Sequence, residues 1–285
     1  MEGHVAIVTD STAYLPPEIA AEHHIGIVPV QVVISGRCYN EGEDISSMDV
    51  AKALREFQPV TTSRPSPEQF LIAYRAAAER GATSIVSAHL SSELSGTYQT
   101  AVLAANDSPV PVKVVDSRSV GLGLGFACIS GAEVAACDAS IDVVAQTILD
   151  RASASSLLFY VDTLDYLRRG GRIGTAAAVV GAALRVKPIL DLVDGRVELL
   201  EKARTSSRAL ARLADLVIER VGDKEVDLAV MDLDAQVNAD QLSAKLAQSL
   251  PKAEILRTEV GAVVGTHVGP GMVAVTIAPK HWSAP

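Results

Sequence analysis

Ser87 to Ala101 leaves this chain few ways to fold. Ahead of it, Thr83-Ser84-Ile85-Val86 reads as a buried strand, and the residues from Thr97 to Ala105 read as a helix. The turn between them is rich in serine, with Gly96 at its end and Glu93 as its one charge. A strand that enters a hydroxyl-rich turn and then a helix builds an anion site. The first helical N–H groups have no intrahelical partner, and they carry the positive end of the helix dipole. Serine is also a favoured N-cap, so the same residues are explained by plain capping. Both readings stay open on the sequence alone.

Val5 to Val8 repeats the pattern. This apolar, largely β-branched run ends in Thr9-Asp10-Ser11-Thr12, and Pro16-Pro17-Glu18 opens a helix to about His24. Ile25 to Ile34 reads as a second strand interrupted by Pro29. Strand, polar turn, helix and strand open an α/β unit, in which ligands sit beyond the carboxyl ends of the strands. Asp10, Ser11 and Thr12 are therefore candidate site residues or simple turn formers. Hydrophobic residues make up 48% of the 285 and aromatics only 4%, so the core must be Ala, Val, Leu and Ile. That composition suits helices packed on a parallel sheet.

Further along, Ser46 or Ser47 caps a helix through Phe57. Thr61-Thr62-Ser63 lies on an extended segment just before a clear helix start, with Ser66 as cap, Pro67 in the first turn and Gln69 closing a capping box. Val112 to Val115 is a strand ending at Asp116-Ser117. Gly121-Leu122-Gly123-Leu124-Gly125 does not fit the dinucleotide spacing, and close packing of a helix over Val120–Cys137 explains it better. A helix follows from about Ser140 to Ala152. The composition shifts near Ser153–Ser156, which sets the expected domain boundary: residues 1–156 and 157–285.

The second half opens on a strand, Leu157–Val161. Arg168, Arg169 and Arg172 surround Gly170-Gly171, and Arg185 and Lys187 follow. In a chain of net charge −9 this is a local positive patch, fit for a phosphate or an acidic partner, or else a solvated face. Asp194-Gly195 is a hairpin signal between Ile189–Val193 and Val197–Leu200. Arg204–Val221 and Ala239–Leu250 read as helices, and Val226–Met231, Ala253–Leu256 and Val273–Ile277 as strands. His267 is expected in a glycine-rich turn, Gly265 to Gly271, as a ligand contact or a solvent-facing side chain.

Several classes are set aside. The negative charge argues against a general nucleic-acid binder. Cys38, Cys128 and Cys137 are odd in number and form no Cys-x-x-Cys pair, so neither a disulfide framework nor a zinc site is indicated. No cofactor or metal is expected. The amino terminus does not read as a signal peptide, and Ile173–Leu184 is too short to span a bilayer; a cytoplasmic protein with no transmembrane segment is the expectation.

Taken in order, these segments resemble the DegV family of bacterial fatty-acid-binding proteins. The resemblance rests on Val8–Thr12, Thr61–Pro65, Leu90–Tyr98, Asp116-Ser117, Gly170–Gly174, Val186–Leu190 and His267–Gly271, and so covers nearly the whole chain. Arg64 departs from it, since the family often has Gln there; the change alters the charge of the site or faces solvent. The resemblance implies a two-domain α/β fold, with a Rossmann-like N-terminal domain on a parallel sheet and a C-terminal α/β domain on a mixed sheet. It implies one long-chain fatty acid at the domain junction. It places the carboxylate among Thr62, Ser63, Ser95 and Gly96, with Arg172 and His267 nearby and Ser11, Ser91, Ser92 and Asp116 as neighbours. It also implies a separate ATP-dependent fatty acid kinase as partner, in a route to phospholipid. Arg168, Arg169 and Arg172 are candidate docking residues for that kinase. The rival expectation is an acyl hydrolase or acyltransferase, with Ser95 or Ser91 as nucleophile and His267 or His89 as base. It lacks a Gly-x-Ser-x-Gly elbow.

Overall fold

The computed structural model describes residues 4–179 and 186–280. Its elements follow the α/β alternation, in two compact units. The first unit holds β1 (Val5–Asp10), α1 (Pro17–Glu22) and β2 (Gly26–Val28). The chain then passes through β3 (Gln31–Ile34), β4 (Arg37–Asn40), α2 (Ser47–Arg55) and β5 (Val60–Ser63). It returns to the first unit for α3 (Pro67–Glu79), β6 (Ser84–His89), α4 (Thr97–Ala105), β7 (Val112–Asp116), α5 (Leu122–Ala135) and α6 (Ile141–Ala154). The second unit continues with β8 (Ser156–Tyr160), α7 (Asp165–Arg169), β9 (Lys187–Val193), β10 (Arg196–Ala203) and α8 (Ser206–Val221). It closes with β11 (Val226–Leu233), α9 (Gln236–Ser249), β12 (Glu254–Glu259), α10 (Ala262–Val268) and β13 (Met272–Pro279).

In the first unit β2-β1-β6-β7 form a parallel sheet. Alternate residues of β1 face opposite sides, as the strand period requires. Ala6 and Val8 pack with Phe70, Leu71 and Tyr74 of α3 and Ala101 and Ala104 of α4. The other face is covered by α5 and α6. Gly125 of α5 lies where a Cβ would stand 2.6 Å from the Ala13 carbonyl oxygen, so this glycine serves close packing of the helix, as expected.

The second unit is built on a mixed six-stranded sheet, β10-β9-β8-β13-β11-β12. Its core joins Leu158 of β8, Leu228 and Val230 of β11, and Val273 and Val275 of β13 to Leu213 and Val217 of α8 and Leu242 and Leu246 of α9. β9 and β10 form the expected antiparallel hairpin, with Asp194 and Gly195 both at positive φ (49° and 79°).

One expectation is corrected. The units do not divide at a single boundary near 156: Val32–Thr62 groups with the residues from Ser155 onward. Three polar ties account for this. Ser47 Oγ donates to Glu259 Oε2 at 2.5 Å, Val263 N donates to Glu41 Oε1 at 2.8 Å, and Arg55 pairs with Asp234. β3, β4 and β5 add a three-stranded sheet. No helix among the described residues is long and apolar enough to cross a membrane.

Candidate functional site

The first unit carries the hydroxyl-rich turn. β6 ends at His89, and α4 starts after Gly96, which occupies the N-cap without a side-chain bond. Ser95 Oγ instead accepts the Thr97 N–H at 3.3 Å and shares a hydrogen bond with Thr97 Oγ1 at 2.9 Å. The capping reading thus holds for Ser95 in part, displaced from the usual cap geometry. Arg64 lies over Gly96, where a Cβ would stand 2.7 Å from the guanidinium. Ser63, Arg64, Gln31 and Thr100 line a groove of about 420 Å³.

Behind the turn is a buried polar chain. Asp10 and His89 sit at the carboxyl ends of neighbouring strands β1 and β6, each with 0% exposure. Asp10 Oδ2 meets His89 Nδ1 at 3.0 Å and accepts the Leu90 N–H at 3.0 Å. Asp10 Oδ1 accepts from Thr12 N at 3.1 Å and Thr12 Oγ1 at 2.5 Å. His89 Nε2 meets Ser87 Oγ at 2.7 Å, and Tyr74 OH donates to Ser87 Oγ at 2.9 Å. Both His89 nitrogens are therefore taken, by Asp10 and Ser87 rather than by Ser91 or Ser95. The hydroxyl–imidazole–carboxylate order of a nucleophilic triad is present here but sealed, since Ser87 is also 0% exposed. Ser87 and His89 stand two apart on one strand face, a spacing the sequence displays. The carboxylate that completes the chain comes from another strand.

The expected neighbours serve this same turn. Ser91 Oγ accepts the Glu93 N–H at 3.2 Å. Ser92 donates to Asp116 through its hydroxyl (2.5 Å) and its N–H (3.1 Å). Ser11 Oγ accepts the Val30 N–H at 3.0 Å.

The second unit brings three of the expected residues around one pocket of about 390 Å³: Thr62, Arg172 and His267, together with Arg169, Tyr166 and Phe57. Among the described residues, no carboxylate lines it. His267 lies not in the expected glycine-rich turn but in the last turn of α10. The first turn of that helix is capped by Glu41, a tertiary contact that local sequence does not display. His267 Nε2 lies 2.9 Å from Thr62 Oγ1. Nδ1 is buried against Gly170 and has no hydrogen-bond partner among the described residues. The tautomer that leaves only a lone pair unmatched has Nε2–H donating to Thr62 Oγ1, which frees the Thr62 hydroxyl proton for a ligand. Burial, then the charge of Arg172, lowers the His267 pKa to about 4, so the ring is neutral at pH 7.

The arginines differ in their surroundings. Arg172 Nη1 donates to the Gly170 carbonyl at 2.6 Å. Arg169 lies 5.8 Å from the Tyr166 ring centre, and Arg168 pairs with Asp165 at 3.5 Å. Lys187 donates to Asp162 at 2.8 Å, and Arg185 lies outside the described residues. A pocket edged by cations, a hydroxyl and a neutral imidazole is suited to an anionic oxygen.

Comparison with known proteins points to one family. The profile of the family described as "Uncharacterised protein, DegV family" matches residues 4–280. The chain is 50% identical over 281 residues to a DegV domain-containing protein of Streptomyces coelicolor, covering 98% of this chain and 100% of that one. It is 36% identical over 275 residues to one of Mycobacterium tuberculosis, covering 96% of each. Among solved structures, a DegV family protein of Thermus thermophilus described by its fatty acid binding matches with TM-score 0.91 at 33% identity, covering 97% of this chain and 99% of that one. DegV of Bacillus subtilis, described as a fatty acid binding protein, matches with TM-score 0.89 at 29% identity, covering 98% and 100%. With the family profile matching nearly the whole chain and full-length relatives in accord, this chain belongs to the DegV family.

Proposed function

We propose that the protein binds one long-chain fatty acid and leaves it chemically unchanged. Its carboxylate is held by Thr62, Ser63, Ser95, Gly96, Arg172 and His267. The protein then presents the head group to an ATP-dependent kinase that forms the acyl phosphate, with Arg168, Arg169 and Arg172 as the docking cations. The observation that carries this reading is the pocket of Thr62, His267, Arg169 and Arg172, whose lining among the described residues has no acidic side chain. A carboxylate that leaves water needs donors, and this set supplies them. The fatty acid binding described for the Thermus thermophilus and Bacillus subtilis relatives supports the same ligand class.

The acyl tail supplies most of the affinity in this account. Each buried CH₂ contributes roughly 0.8 kcal/mol, so a chain of about sixteen carbons gives on the order of 10 kcal/mol before association costs. The head group sets orientation. The carrier reading is favoured over the serine hydrolase by the partners of the two imidazoles: His89 is bonded to Asp10 and Ser87, and His267 Nε2 meets Thr62, so neither ring is set as a base against Ser91 or Ser95.

The test removes two hydroxyls. Thr62→Val with Ser95→Ala should lower the affinity for cis-parinaric acid, a fluorescent fatty acid, by roughly 100-fold, taking about 1.5 kcal/mol for each hydrogen bond to a charged group. A folded double variant that binds as tightly as the wild type removes the head-group assignment.

A further inference from the structure

We infer that Glu41 is a positioning residue for His267: its buried carboxylate fixes the first turn of the helix whose last turn carries that imidazole. The inference rests on His267 belonging to the fatty-acid site proposed above. Glu41 is 6% exposed, and its Oε1 accepts the Val263 N–H at 2.8 Å. Val263 precedes His267 by four residues, about one helical turn. A carboxylate at that end also meets the positive pole of the helix dipole.

α10 is thus held at both ends by one segment. Glu41 grips its start, and Thr62 meets His267 at its end. The helix has only seven residues, so a displacement of its first turn is passed to its last. His267 has little room to absorb it, because Gly170 lies against Nδ1 so closely that even a Cβ there would collide. The segment itself has other anchors that do not bond α10: Ser47 to Glu259 and Arg55 to Asp234. Each of these anchors can be removed without touching the Glu41–Val263 bond.

The experiment compares Glu41→Ala, Glu41→Gln and Ser47→Ala with the wild type. Two readings are taken on each folded protein: the titration midpoint of His267 by histidine-ring NMR, and the affinity for cis-parinaric acid. In Glu41→Ala the midpoint should rise from about 4 toward the ordinary histidine range, since the ring loses its buried seat. Fatty-acid affinity should fall roughly tenfold. Glu41→Gln keeps an acceptor without the charge and should lie between. Ser47→Ala should lower stability and leave both readings unchanged. A folded Glu41→Ala with the wild-type midpoint and affinity overturns the inference. If that variant does not fold, Glu41→Gln decides on the same two readings. If the wild type binds no cis-parinaric acid, the fatty-acid reading fails, and the His267 midpoint still decides the role of Glu41.

Discussion

Asp10→Ala should lower the unfolding free energy by roughly 4 kcal/mol or more, since each stranded buried donor costs about 1–3 kcal/mol. The carboxylate is fully buried and answers the Thr12 N–H, the Thr12 hydroxyl, the Leu90 N–H and the His89 ring. All of these donors lie on buried residues. A loss of that size is a large part of the total for an ordinary domain. Asp10→Asn is not a harmless replacement either. Donors face both carboxylate oxygens, so either orientation of the amide sets an NH₂ group against one of them. Urea unfolding followed by circular dichroism measures both variants. An Asp10→Ala protein within about 1 kcal/mol of the wild type would mean that the donors find other partners, and the buried chain would lose its place as the brace of the hydroxyl turn.

The second large effect is on pH dependence. The folded His267 has its pKa lowered to about 4, by burial first and the Arg172 charge second. In the unfolded chain it returns to about 6.5. Between these values the unfolded state binds the extra proton, so stability falls as the pH falls. The contribution is fully present above about pH 6.5 and is lost on acidification toward pH 4, at up to about 1.4 kcal/mol per pH unit and about 3 kcal/mol in all. His267→Gln lacks this titration. The stability gap between wild type and variant should therefore change in favour of the variant as the pH is lowered from about 7 to about 4. Other groups titrate in both proteins and cancel in the difference. Parallel stability curves across that window would contradict the buried neutral imidazole.

Much of the fold was legible because its signals are local. The β-branched run at Val5–Val8 became β1, the Ser66–Gln69 capping box opened α3, and the Asp194-Gly195 turn closed the β9–β10 hairpin. The allegiance of Val32–Thr62 was not legible, because the residues that fix it lie far apart in sequence. Glu41 and Val263 are 222 positions apart, and Ser47 and Glu259 are 212. The same long-range cap explains why His267 read as a turn residue. The candidate pocket was legible in part. Thr62, Arg172 and His267 do gather at one pocket, as their motifs implied. The buried pairing of His89 with Asp10 was not, since two strands must be set side by side before it exists.

The central claim is most directly tested by native mass spectrometry of the purified protein, followed by solvent extraction and identification of what is released. The account predicts a mass excess of one long-chain fatty acid per chain, or uptake of one when fatty acid is added to stripped protein. A chain that carries no lipid and takes none up, while remaining folded, would contradict it.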